Sequence, residues 1–257
     1  MMNYMKSECY RTLHTRTFYL VTLVLGGLVL LMNLIHFVSG RSIPDFRYDT
    51  FRFSLNTLTS MIMVMLAMGA VVASLLFIDD RKNGVMKQMI AYGISREKIF
   101  VGKCIVALGF SLIIMVAVLV IYVGSAYLLL REPEWLPLKE MLLGIGASLP
   151  MAAASLIFTL ALGSWYKKEM PIVIWWAVIF CFIPMVLALI GLKVDIVGQI
   201  ASWMPYNYFN REVLVTYSQY HCLWDTAQGM AKCLISGGIG IIVFLLFGLW
   251  KLRRQEF

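Results

Sequence analysis

Long uncharged apolar runs alternate with short polar breaks along this chain, and the runs have membrane-crossing length. A helix needs about 20 apolar residues to cross the hydrocarbon core of a bilayer. Six segments meet or approach that length: about 17–38, 58–78, 104–130, 141–166, 171–192 and 233–250, the last being the shortest. The third is long enough to tilt or protrude. Gly144, Gly146, Pro150 and residues 152–154 make the fourth small-faced, which favours a kink and close helix approach and is equally compatible with substrate contact. Pro184 predicts a kink in the fifth. Ahead of the first run, residues 3–16 are amphipathic: Tyr4, Met5, Cys9, Tyr10 and Leu13 can face lipid while Lys6, Arg11 and Arg16 face water. That pattern predicts an interfacial helix, the alternative being a plain basic flank that anchors the first span.

Residues 79–103 form the dense polar island of the first half of the chain. Six of them are Lys or Arg: 81, 82, 87, 96, 98 and 103. The island also predicts a short helix over about 80–92. Asp79 and Asp80 can cap its start and favour the positive end of its dipole. Val85, Met86, Met89 and Ile90 recur at helical spacing as one apolar stripe, and Gly93 can end the helix in a left-handed conformation. A short amphipathic helix tied closely to two spans suits docking on a soluble partner. Without further information, a solvated loop that only sets topology is the competing reading.

Residues 194–232 fit neither pattern. Ile196, Ile200, Trp203, Tyr206, Tyr208, Phe209 and Val213 are too apolar for a free loop, and Pro205, Asn207, Asn210, Arg211 and Glu212 interrupt any span. The expectation is a half-buried segment that dips into the outer leaflet or lies as one or two short helices over the sixth span.

Composition agrees. Of 257 residues, 61% are hydrophobic and 14% charged, against roughly a quarter charged in soluble domains. No polar stretch is long enough for a separate soluble domain, so residues 1–257 read as one all-α transmembrane domain. With both termini inside, fourteen of the 22 Lys and Arg fall on the cytoplasmic side and eight outside, which gives an N-in, C-in orientation. The net charge of +8 therefore points to lipid headgroups rather than nucleic acid. The five cysteines show no C-x-x-C spacing, and no metal site is expected.

Candidate chemistry inside the spans is sparse. Ion-coupled carriers keep ionisable groups in their membrane core. Here the candidate is His36, near the outer end of the first span, with Asn33 three residues earlier on the same face. Asn33 can hydrogen-bond between helices or line a pathway. Met61, Met65 and Met68 suit a surface that accepts varied apolar ligands, or ordinary packing. The chain has no G-x-x-x-x-G-K-[ST] phosphate loop and no nucleophile–base pair, so neither catalysis nor ATP binding is expected of it.

Asp80-x-x-x-Gly84, followed by Gly93-Ile94-Ser95-Arg96 and then Lys103, resembles the permease subunit of ABC-2-type transporters. Asp80 stands where that family usually has Glu, Val85-Met86 where it often has Thr-Leu, and a Pro near Gly93 is missing. The Gly93-Ile-Ser-Arg form is similar to small bacterial permeases of peptide-antibiotic resistance or immunity. The resemblance implies that Asp79, Asp80, Arg81, Gly84, Val85, Met86, Met89, Ile90, Gly93, Ser95 and Arg96 form a coupling helix and its exit, docked on an ABC ATP-binding subunit. It further implies two ATP-binding subunits that hold ATP and Mg, a second permease (the same or homologous), and a bacterial plasma membrane. The activity implied is export of an amphipathic peptide, lipid-linked molecule or drug. A secondary carrier without an ATPase, or a non-transporting subunit for antimicrobial-peptide sensing or immunity, are the alternatives.

Overall fold

A computed structural model describes residues 2–77, 89–166, 168–215 and 220–253. Five of its helices are long and apolar enough to cross a membrane, and a bent helix pair supplies a sixth crossing if the pair is one span. In chain order, α1 is Met2–His14, α2 Arg16–Ser42, α3 Phe51–Ser60, α4 Ile62–Phe77, α5 Arg96–Leu129 and α6 Trp135–Gly163. Then come α7 (Glu169–Ala177), a π-helical turn (Val178–Phe182) and α8 (Ile183–Ile190), followed by α9 (Asp195–Ser202) and α10 (Pro205–Arg211). Two short strands, β1 (Val213–Val215) and β2 (Tyr220–Cys222), and a 3-10 turn (Leu223–Asp225) lead into α11 (Ala227–Arg253).

The second expected span, about 58–78, falls on the bent pair of α3 and α4. It is split at Met61, and its two halves diverge by 65°. The Thr50 hydroxyl caps α3 by accepting from the Phe53 amide. Thr57 and Thr59 then donate to the carbonyls of Phe53 and Leu55, and Ser60 to that of Thr57. Such back-bonding competes with the helical ladder and bends helices, and three instances crowd into the last turn before the break.

The helix that holds the sixth expected span, about 233–250, extends past it at both ends. It runs 27 residues, because it continues through Lys232 at one end and Lys251 and Arg253 at the other. The third begins at Arg96 rather than 104 and runs 34 residues. At about 1.5 Å per residue it is roughly 51 Å long and must protrude from a hydrocarbon core of about 30 Å. Pro184 sits just after the π turn at the start of α8, where a missing amide leaves the preceding ladder to re-form.

α6 is the most buried of the spans and packs against α3, α4, α7 and α11. α2 lies along α5, with Phe18 edge-on to Phe110 at 5.3 Å and Gly26 against Ile121. At one end of the bundle, Arg131 joins the two loops: it pairs with Asp49 at 3.0 Å, and its backbone bonds to Asp49 and Phe51. Residues 195–215 and 220–225 cover the same end. They form two short helices, one of the arrangements expected, plus an antiparallel ladder that was not, with Val213 opposite Cys222 and Val215 opposite Tyr220. Tyr208, Phe209, Cys222 and Trp224 are buried there, Trp224 lying on Gly144 of α6.

Candidate functional site

The opposite end of the bundle carries the described part of the polar island, residues 89–103. Asp79, Asp80, Arg81, Gly84, Val85 and Met86 lie outside the described residues, as does the start of the expected helix. Its end is described. Residues 89–91 are helical, Gly93 has φ 81°, and the chain closes with two bonds, Gly93 N–H to Ile90 at 2.9 Å and Ile94 N–H to Met89 at 3.2 Å. This is the Schellman arrangement, which satisfies carbonyls at a helix terminus and needs a residue that tolerates positive φ. Met89, Ile90 and Ile94 pack on the core built from Tyr4, Ile99, Phe100, Cys104 and Leu252. Ser95 occupies the cap position of α5 with extended backbone, its carbonyl accepting from Ile99, and Arg96 is the first helical residue. Only Ser95 separates the packed Ile94 from the long helix.

α1 lies against this exit. It ends at His14, so Arg16 belongs to α2 and not to the interfacial helix. The expected lipid-facing stripe is also corrected in part. Tyr4 is buried with its ring on Gly102 of α5, and Met5 and Cys9 pack on the same core, while Tyr10 and Leu13 remain exposed. Gly102 supplies the reason: a side chain there would occupy the ring's place. Lys6 is exposed, Tyr10 stacks on His14, and Arg11 pairs at 2.6 Å with Glu8, whose carboxylate is buried.

The end of α11 joins the same cluster. Leu252 is fully buried, its carbonyl accepts a long 3.4 Å bond from Arg96, and Arg253 pairs with Glu97 at 2.7 Å. The Phe100 ring fills the notch left by Gly248. Lys251 lies over the Trp165 ring at 3.6 Å, a cation on an aromatic face. Glu97, Phe100, Gly102, Gly248 and Arg253 carry no motif, and only their packing reveals them. Both described chain ends and the exit of the polar island therefore converge on one face.

The other expected pathway residues lie in the bundle. Asn33 is fully buried between α2, α3 and α5. Its amide donates to the Tyr122 carbonyl at 3.0 Å and Ser125 Oγ at 2.8 Å, and its Oδ1 lies 2.7 Å from Ser54 Oγ. Tyr122 donates to the Ser54 carbonyl. Of the two readings left open, the structure realises the interhelical hydrogen bond. His36 is half-buried, edge-on to Phe53 at 5.3 Å. Met65 packs inside, whereas Met61 and Met68 lie on the exposed face of the bent pair.

A family model described as ABC-2 family transporter protein matches residues 4–184, well over half of the chain. The match runs from α1 to the start of α8 and takes in the whole polar island. No curated protein matches the chain.

Proposed function

The chain belongs to the ABC-2 transporter family, and on that premise we propose that it is the permease subunit of an ATP-driven exporter. Membership implies a multi-pass membrane protein that works with an ABC ATP-binding subunit. In the finer reading, residues 79–96 are the coupling segment and face the cytoplasm. Two ATP-binding subunits dock beneath two permeases, the same or homologous, in a bacterial plasma membrane. An amphipathic peptide, lipid-linked molecule or drug moves outward, and all nucleotide chemistry stays in the partner.

One observation supports this reading most: the helix ending at Gly93 is closed by two backbone bonds, packed into the core, and joined to α5 with almost no slack. A push on such a lever reaches a 34-residue helix without being absorbed by a loop. Charges in a topology-setting loop would need neither the packing nor the closure.

The test is purification of the full chain from its native membrane, with identification of any ATP-binding protein that comes with it, followed by Asp80→Ala and Gly84→Pro. Both variants should insert normally and lose partner assembly or transport-coupled ATPase activity. Normal coupled activity in both variants, or labelling of Lys87 only from outside the cell, overturns the reading.

A further inference from the structure

α11 is held at both ends by the same kind of attachment. At the face of the polar island, Arg253 pairs with Glu97 at 2.7 Å and the Leu252 carbonyl accepts from Arg96 at 3.4 Å. At the far end, Lys232 pairs with Glu212 at 2.6 Å and Ser236 donates to the Trp203 carbonyl at 3.0 Å. Lys232 also lies over the Tyr208 ring at 5.7 Å. Each end thus combines one ion pair with one side-chain bond to a carbonyl. The partners are the first turn of α5 on one side and the α9–α10 unit, residues 195–212, on the other. From Ser236 to Leu252 the helix spans roughly 24 Å at about 1.5 Å per residue.

Between the two attachments α11 is seated tightly. A side chain at Gly237 would meet the backbone of Pro150 and Met151 at 2.8 Å, one at Gly240 would meet Ala154 at 3.0 Å, and one at Gly248 would overlap Phe100. Glycines at these contacts let α11 lie close along α6, so it cannot bow sideways without breaking packing. The α9–α10 unit has a second, separate attachment. Asn207 donates to the carbonyls of Pro184 and Ala201 at 2.8 Å each, and Gly198 lies against Gly191 at the end of α8. The unit is therefore fixed to α8 on one side and to α11 on the other, as a lever is fixed to a pivot and a rod.

We propose that α11 is a strut that transmits displacement between the first turn of α5 and the α9–α10 unit, residues 195–212. That the displacement begins with a nucleotide-driven partner rests on the function proposed above; the mechanical link does not. Exchange of Glu97 and Arg253 offers a test, because each single reversal sets like charges together and the double reversal restores the pair.

Hydrogen–deuterium exchange would be measured on the full chain in lipid nanodiscs, with no partner present. Glu97→Arg and Arg253→Glu should each raise exchange of amides in 195–211, at the far end of α11, and the double variant should return it to the parent level. Gly248→Leu, which forces the same end apart by packing instead of charge, should do likewise. Increased exchange confined to 89–103 in all three variants overturns the proposal, as does failure of the double variant to restore protection. In the complex, ATP should change the labelling rate of a Gln199→Cys probe, and the single reversals should remove that change. If exchange spreads along α11 but no ATP-binding protein co-purifies with the parent, the functional reading fails and the strut stands. If a partner co-purifies and exchange does not spread, the strut fails and the functional reading stands.

Discussion

Ser54 on α3 holds its hydroxyl 2.7 Å from the Asn33 carbonyl oxygen on α2 and 2.9 Å from the Tyr122 hydroxyl on α5. A serine has one proton to give, and Tyr122 already donates to the Ser54 backbone, so the Ser54 proton is free for Asn33. Asn33 then uses both amide protons and its oxygen, and three helices share one satisfied polar cluster. Asn33→Ala removes the acceptor of the Ser54 hydroxyl and the donor to Ser125 Oγ, and leaves Ser54 only the Tyr122 hydroxyl and the Tyr122 carbonyl only Ser125 as side-chain partners. The expected cost is about 1–2 kcal/mol, read as a lower unfolding midpoint in detergent. Ser125→Ala should cost less, because Asn33 keeps its bond to Tyr122.

Phe100 and Gly248 make a second test of packing. Gly248→Leu drives a side chain into the Phe100 ring and the Ala161 methyl, and overpacking of this kind costs about 1–3 kcal/mol. Gly238, two turns and more before it on the same helix, has no described atom within 4 Å of the place a Cβ would take, so Gly238→Leu should not lower the melting temperature. Equal effects at the two sites would mean that helix composition, and not the Phe100 contact, sets the response.

The apolar runs were legible because lipid demands them, but lipid says nothing about where a helix stops. α5 begins at Arg96 and α11 at Ala227, both outside the uncharged stretch, since charged turns stay helical in water or against protein. Likewise the break at Met61 follows from Thr57, Thr59 and Ser60 acting together, a signal that hydropathy averages away. Gly93 was readable as a helix end because positive φ is a local property. Tyr4 on Gly102 was not, because the partner is almost a hundred residues away and the amphipathic pattern of α1 fits lipid and protein equally well.

Cys222 is buried between β1, Tyr220 and the 3-10 turn, and burial pushes its thiol from the ordinary 9.0 up to about 12. At pH 8 only about one thiol in 10⁴ is then ionised. Maleimide should leave Cys222 unmodified in the folded protein and react with it readily in denaturant. The sign of the linkage also follows. A raised pKa means that the folded state resists ionisation, so this contribution to stability is intact below pH 9 and lost as pH rises from 9 toward 12. A midpoint that climbs through that window would contradict the assignment.

Gly93 separates the requirement for backbone geometry from the requirement for charge in the polar island. Its φ of 81° is accessible to Gly, tolerated by Asn, and costs other residues roughly 1–2 kcal/mol. Among the described residues no side chain lies within 4 Å of the position a Cβ would take, so against them substitutions act through the backbone. Gly93→Asn, Gly93→Ala and Gly93→Val should therefore form a graded series, with Val the worst because β-branching adds to the strain. If the helix end at Gly93 sets the angle at which the segment meets a partner, the amount of ATP-binding subunit recovered with each variant should fall in the order Gly, Asn, Ala, Val. Membrane insertion should be equal across the four. A flat series would mean that residues 79–92 hold their partner without the angle fixed by Gly93, and the rigid-lever account of coupling would have to be given up.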